Sequence, residues 1–188
     1  MDFSKIKKLV IPEGDVQQIT DKNGNVLWEK PPLFTNQIPK SIGTDGKPYN
    51  NGLGYKTQTR ISSSSGAEST ATNGTVTGFI KAKAKDVIRI WEFMWGGPNA
   101  SSNNIIVVYD SNFAYIGSAV HNGTQKGAGA STSIELSDAN QAGFKNATVT
   151  LIDNPNIAYI RVCSYGNNGT YIPNGAADAI ITVNEEII

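Results

Sequence analysis

Side chains that could catalyse a reaction are few and poorly placed in this sequence. His121 is the only histidine, and it lies in a loop rich in glycine and asparagine. A Ser-His-Asp site needs a base that a third group holds in place, and a loop of this kind is a poor support for it. No glycine-rich turn joins a strand to a helix as in nucleotide-binding proteins. We therefore expect that the protein is not an enzyme.

Paired carboxylates are the other route to catalysis, because glycoside hydrolysis uses two acids that lie close together. The candidate acids are Glu68, Asp86, Glu92, Asp110 and Glu135. Two of them have simpler structural explanations, since Asp86 precedes a predicted strand as a turn cap and Asp110 follows one as part of a hairpin turn. Nothing in the pattern pairs two acids, so a glycan-active enzyme is kept only as an alternative.

Metal and cofactor sites have little support. Asp21, Asn23 and Asn25 fall at the first ligand spacings of a calcium loop, but Val26 and Pro32 stand where the glycine and the final acid belong. Cys163 is the only cysteine, which excludes an intrachain disulfide and a cysteine-rich zinc site. We expect no cofactor and no bound metal.

Glycan binding is the chemistry that the sequence favours. Sugars present flat apolar faces, which aromatic rings cover, and hydroxyls, which asparagine side chains bond. Trp95 stands beside two glycines, and two tyrosines flank a pair of asparagines near the C-terminus. The predicted glycan site comprises Trp95, Tyr165, Asn167, Asn168 and Tyr171. The alternative for these residues is core packing or a contact between subunits.

Charge and hydropathy exclude several classes of partner. Lysine plus arginine number 16, as do aspartate plus glutamate, so the formal net charge is zero. This balance does not favour binding to nucleic acid through bulk charge. No apolar run approaches the roughly 18 residues of a membrane span, and the N-terminal residues lack the apolar core of a signal peptide. We expect synthesis in a cytoplasm and no membrane insertion.

The fold is predicted from one hairpin outward. Ile105 to Tyr109 is a β-branched and aromatic run, Asp110-Ser111-Asn112 is a turn, and Phe113 to Ile116 is apolar again. A strand that is apolar on both faces belongs in the centre of a packed sheet. The sequence contains about eight short predicted strands, with turn signals at roughly 8–12-residue spacing. This pattern predicts an all-β chain with a jelly-roll-like antiparallel β-sandwich.

Three details of this sandwich can also be predicted. The Ser62–Ser65 run is either a mobile loop or an ordered turn whose hydroxyls bond the backbone, and we favour the turn. The segment from Ala119 to Thr132 is read as a long loop of small residues. Arg89 and Arg161 lie in otherwise apolar strands, and because a buried guanidinium needs a partner, we expect both to face solvent, with a subunit interface as the alternative.

The chain divides into three parts on composition. Residues 1–30 form a small β-meander with an Asn-Gly hairpin turn at Asn23. Residues 31–51 form a linker and crossing segment rich in proline and glycine. Residues 52–188 form the sandwich.

Several of these segments resemble a known class of protein. The stretch Val16-Gln-Gln-Ile-Thr-Asp-Lys-Asn-Gly-Asn-Val-Leu-Trp28 resembles a short N-terminal module of phage tail and baseplate proteins from Gram-positive gut bacteria. Further stretches look like the jelly-roll modules of such proteins: Gly54–Ser62, Val76–Lys81, Lys85–Ile90, Ala158–Val162 and Asp178–Asn184. The loops at 96–104 and 121–130 depart from that pattern, so ligand contacts there cannot be carried over.

The resemblance implies a structural protein of the virion. Its small module would attach to other tail or baseplate subunits, and its sandwich would present a receptor-binding surface to a host glycan. By analogy with the family, the protein would be a homo-oligomer, with a trimer expected. The alternatives are a purely structural or capsid-decoration protein without a ligand, and a glycan-active enzyme or bacterial carbohydrate-binding module.

Overall fold

The computed structural model describes residues 18–20, 23, 25–29, 34–93, 104–120, 125–127, 131–137, 146–165 and 179–185. Contacts divide the chain into two units, Met1–Leu33 and Phe34–Ile188. In the described residues, the only helices are short 3-10 turns at Ile38–Lys40 and Tyr49–Gly52. None of the helices in this part of the chain is long and apolar enough to cross a membrane.

The first unit contains the predicted hairpin. Strand β1 (Gln18–Thr20) pairs antiparallel with β2 (Val26–Glu29), and Ile19 lies opposite Trp28. Asn23 lies in the turn between them, where asparagine tolerates the tight backbone angles that a short connection needs. The predicted first strand of the meander, Ile6 to Ile11, lies outside the described residues.

The second unit forms two antiparallel sheets. Its described strands are β3 (Tyr55–Ile61), β4 (Glu68–Thr77), β5 (Ile80–Lys81), β6 (Val87–Trp91), β7 (Asn104–Tyr109), β8 (Tyr115–Val120), β9 (Gln125–Gly127), β10 (Ser131–Ser137), β11 (Asn146–Leu151), β12 (Tyr159–Tyr165) and β13 (Ile180–Val183). The smaller sheet has the order β10-β11-β6-β13. The larger has the order β3-β4-β12-β7-β8-β9, with β5 also beside β12. The chain alternates between sheets from β5 to β7 and from β11 to β13, as in jelly rolls, and the predicted all-β sandwich is confirmed.

Strand β7 has the central, doubly buried position that its composition predicts. Ile106 and Val108 are fully buried in the cluster shared with the smaller sheet. Val107 and Tyr109 belong to a second cluster, with Val76 and Phe79. Alternate residues of one strand point to opposite faces, so the larger sheet is covered on both sides here.

Two turns hold the ends of these strands as predicted. The Asp110 carboxylate accepts hydrogen bonds from the backbone N–H groups of Asn112 and Ala114, at 2.8 and 2.9 Å. In the serine run, the Ser62 hydroxyl accepts a hydrogen bond from the Ser64 backbone N–H at 3.3 Å, and the Ser65 hydroxyl accepts one from the Ala67 N–H at 3.4 Å. The backbone carbonyl of Ser63 accepts hydrogen bonds from the hydroxyls of Tyr115 and Ser118 in β8, at 2.5 and 2.8 Å. Both turns are therefore tied to the larger sheet.

The prediction of one long loop from Ala119 to Thr132 was wrong. Strand β8 continues to Val120, and β9 pairs with it so that Gly117 faces Gly127. Strand β10 then begins at Ser131. Small and polar residues give no alternating pattern, yet a strand at the margin of a sheet needs only backbone hydrogen bonds to pair.

Candidate functional site

Most of the predicted glycan-site residues lie outside the described residues. This is so for Trp95, Asn167, Asn168 and Tyr171. The backbone of Tyr165 ends β12 opposite Gly74. The predicted grouping of these residues therefore stays a prediction.

An open groove in the second unit is a candidate binding site in the described residues. It has a volume of about 400 Å³ and lies where β5, the β5–β6 turn, the β7–β8 turn and the start of β12 meet. Its lining consists of Lys81, Ala82, Lys83, Asp86, Ser111, Ala158 and Tyr159. None of these residues belongs to the site predicted from the sequence.

Tyr159 gives the groove a fixed aromatic wall. Its backbone pairs with Lys81 on one side and Tyr109 on the other. Its ring stacks on Phe113, with centroids 4.9 Å apart and an interplanar angle of 27°. Phe113 in turn packs on the buried ring of Phe79 at 4.7 Å. A ring held by its strand and by a second ring offers a ligand a flat apolar surface at little entropic cost.

Asp86 shapes the β5–β6 turn, which lines part of the groove. One of its carboxylate oxygens accepts a hydrogen bond from the Lys83 backbone N–H at 2.8 Å, and the other accepts one from the Asn184 side-chain amide at 2.8 Å. The residue is only 5% exposed. The predicted role of Asp86 as a turn cap is confirmed, and its oxygens are already engaged by the protein.

Two lysines supply the accessible charge of the groove. Lys81 and Lys83 are exposed, whereas Ala82 between them is buried. In the described part of the chain, neither ammonium group has a carboxylate within 4.0 Å, whereas the neighbouring Lys85 forms an ion pair with Asp153 at 2.8 Å. The groove thus combines an aromatic wall, alanine methyl groups, the Ser111 hydroxyl and two ammonium groups.

This set of groups could bind a sugar. A tyrosine ring and methyl groups cover the apolar face of a sugar, and hydroxyl and ammonium groups bond its oxygens. The only carboxylate in the lining is Asp86, which already accepts two hydrogen bonds. Among the described residues, no group of three or more histidine, cysteine or acidic side chains could hold a metal ion.

A polar cluster next to Phe79 is built around Arg161. Its guanidinium Nη1 lies 2.7 Å from Glu68 Oε1, and its Nε donates to the Thr77 carbonyl at 2.7 Å. Nη2 donates to the Tyr49 hydroxyl at 2.9 Å, and that hydroxyl donates to Glu68 Oε1 at 3.0 Å. The Phe79 ring centroid is 4.9 Å from the guanidinium carbon. The network joins β4, β12 and the 3-10 turn at Tyr49–Gly52.

The expectation that Arg161 faces solvent was therefore wrong, because the side chain is 3% exposed and its donors are paired across the fold. Arg89 is half-buried, and its Nη1 donates to the Glu185 carbonyl at 3.1 Å. In both cases an oxygen acceptor distant in sequence offsets the cost of removing the guanidinium from water.

The protonation states of the Arg161 cluster indicate a structural role. Burial alone would raise the pKa of Glu68, but the charge of Arg161 and hydrogen bonds from Arg161 and Tyr49 outweigh it and hold that pKa below its usual value. Burial raises the pKa of Tyr49 against the opposing charge of Arg161. The raised pKa keeps the Tyr49 hydroxyl protonated, so that it can donate its hydrogen bond to Glu68.

The sequence contained only part of the signal for the groove. Lys81 and Lys83 flank a small buried residue, and Tyr159 opens an apolar strand, but these segments meet only through the pairing of β5 with β12. Comparisons with protein-family models, curated proteins and solved structures found no match to this chain. The geometry of the groove therefore carries the functional argument.

Proposed function

We propose that this chain is a structural protein of a phage tail or baseplate whose β-sandwich binds a glycan on the host surface. The observation that carries the binding part is the ring of Tyr159, fixed on Phe113 in an open groove with polar side chains at its margin. The virion location rests on the resemblance of the N-terminal stretch and the sandwich strands to phage proteins.

The binding is proposed to occur without turnover. Asp110, which the sequence offered as a possible acid, holds two backbone N–H groups of the β7–β8 turn, and Asp86 holds the β5–β6 turn. Both acids are thus explained by the turns that they stabilise. The small N-terminal module is proposed to attach the chain to neighbouring virion subunits, and a homo-oligomer, with a trimer expected from the family, would present several grooves at once.

Replacing Tyr159 with alanine is expected to weaken glycan binding by about tenfold, because loss of a sugar-stacking ring removes roughly 1.4 kcal/mol. The measurement is a glycan array followed by calorimetric titration of the strongest hit. Trp91→Ala serves as the matched control, since this ring is 42% exposed but does not line the groove. Equal affinities for the unchanged chain and Tyr159→Ala, with folding retained by circular dichroism, would remove the groove as the site.

A further inference from the structure

We propose that the groove selects glycans that carry an anionic group, with Lys81 and Lys83 contacting the anion while Tyr159 packs on the adjacent sugar ring. This inference rests on the proposed function and names the class of glycan. Carboxylates of acidic sugars and phosphodiesters of polyol-phosphate polymers share the required chemistry.

The two lysines lie close together in the chain, on either side of a buried alanine. Lys81 lies in β5 and Lys83 two residues later, with Ala82 buried between them. Alternate residues of extended chain point to the same side. The side chains of Lys81 and Lys83 therefore start from one side of this segment, which lies beside Tyr159 through the pairing of β5 with β12.

The two groove lysines differ from Lys56 and Lys85 in their ion pairing. Lys85 pairs with Asp153, and Lys56 pairs with Glu68 at 3.2 Å. Within the described residues, Lys81 and Lys83 have no such partner, and both line the groove. Two unpaired cations beside an aromatic wall attract an anion more strongly than either would alone.

Asp86 is the one acid in the groove lining. Its hydrogen bonds and its burial weaken its repulsion of an anionic ligand. Both of its oxygens accept hydrogen bonds, from the Lys83 N–H and from Asn184, and it is 5% exposed. The lining therefore carries two accessible positive charges and one engaged negative charge. A ligand that meets the exposed margin of the groove encounters the lysines first.

The test compares anionic ligands with neutral ones. The full chain is titrated with an oligogalacturonate, its methyl-esterified form, a glycerol-phosphate oligomer and a neutral galacto-oligosaccharide, and it is also applied to an array of acidic and neutral glycans. We expect that the bound glycans are anionic and that esterification weakens binding by about tenfold or more. Binding of the oligogalacturonate would identify a sugar carboxylate as the anion, and binding of the glycerol-phosphate oligomer would identify a phosphodiester.

Lysine variants connect that selectivity to the groove. Lys81→Gln and Lys83→Gln are each expected to weaken binding of the anionic hit by about fivefold, and the double variant by about twentyfold. Lys85→Gln is the matched control, because this exposed lysine is paired with Asp153 and does not line the groove. Raising the salt from about 0.05 to 0.5 M should weaken binding by the unchanged chain more than by the double variant.

The outcomes separate the two proposals. Binding of neutral glycans that depends on Tyr159 but not on the lysines would overturn the anionic selectivity and leave the proposed function standing. A chain that binds neither neutral nor anionic glycans would overturn both. Loss of anionic binding in Lys81→Gln/Lys83→Gln, with its recovery in Lys81→Arg/Lys83→Arg, would support the inference.

Discussion

Replacing Glu68 with glutamine is expected to lower the free energy of unfolding by about 3 kcal/mol. The substitution keeps the size of the side chain but leaves the guanidinium of Arg161, which is 3% exposed, without its anionic partner. The effect is placed at the low end for a broken buried ion pair because the Glu68 side chain is 34% exposed and water can reach it. Denaturant unfolding followed by circular dichroism measures the change.

Lys56→Gln is the matched control for this prediction. Lys56 pairs with the other carboxylate oxygen of Glu68 at 3.2 Å, and its side chain is 44% exposed. Exposed pairs of this kind contribute little, so we expect a change of about 0.5 kcal/mol. Equal losses in the two variants would contradict the view that the buried Arg161 contacts dominate the network.

The same cluster predicts how stability depends on pH. Because the pKa of Glu68 is lowered in the folded chain, its contribution is fully present above the unfolded-state pKa of about 4.3. That contribution is lost as the pH falls through the lower folded-state value. Unfolding free energies measured between about pH 2 and 7 should therefore fall less steeply on the acid side in Glu68→Gln than in the unchanged chain. If the free energy of unfolding falls equally steeply with decreasing pH in both proteins, Glu68 does not titrate as described.

Replacing Phe79 with alanine is expected to lower the free energy of unfolding by about 4 kcal/mol. The ring is 6% exposed. It contacts the rings of Tyr109 and Phe113 at 4.9 and 4.7 Å, and the guanidinium carbon of Arg161 at 4.9 Å. Its loss leaves a cavity beside Tyr109 and Phe113 and removes a cation–π contact with Arg161.

Leu53→Ala is the control for the Phe79 variant. Leu53 is a large apolar residue of the same unit but is 57% exposed, so its truncation should change stability by less than about 0.5 kcal/mol. Thermal and denaturant unfolding of both variants make the comparison. A loss of less than about 1 kcal/mol in Phe79→Ala would show that this ring is not the packing centre that its contacts describe.

The sequence predicted the parts of the fold that depend on local pattern. The unbroken apolar run Ile105 to Tyr109 required burial on both faces, and Asp110 followed it with the chemistry of a tight turn. Asp86 could be read as a cap for the same reason. These properties need only near neighbours in the chain, and the structure confirms each of them.

Long-range partners could not be predicted in the same way. Arg161 stands alone in an apolar strand, and its burial depends on Glu68 and Tyr49, which reach it only through the pairing of β4 with β12 and the preceding 3-10 turn. The groove has the same origin, because Ser111 comes from the β7–β8 hairpin turn and Lys83 from the β5–β6 connection between the two sheets. A single sequence carries no record of which turns meet, whereas sheet topology determines it.

The most direct test of the account is an amide NMR titration of the full chain with the strongest glycan from the array. The groove predicts that chemical shifts change at residues 81–86, at Ser111 and at Ala158 and Tyr159. Shifts confined to Trp95, Tyr165 and residues 167–171, with the groove unperturbed, would contradict it and place recognition at the residues that the sequence first suggested.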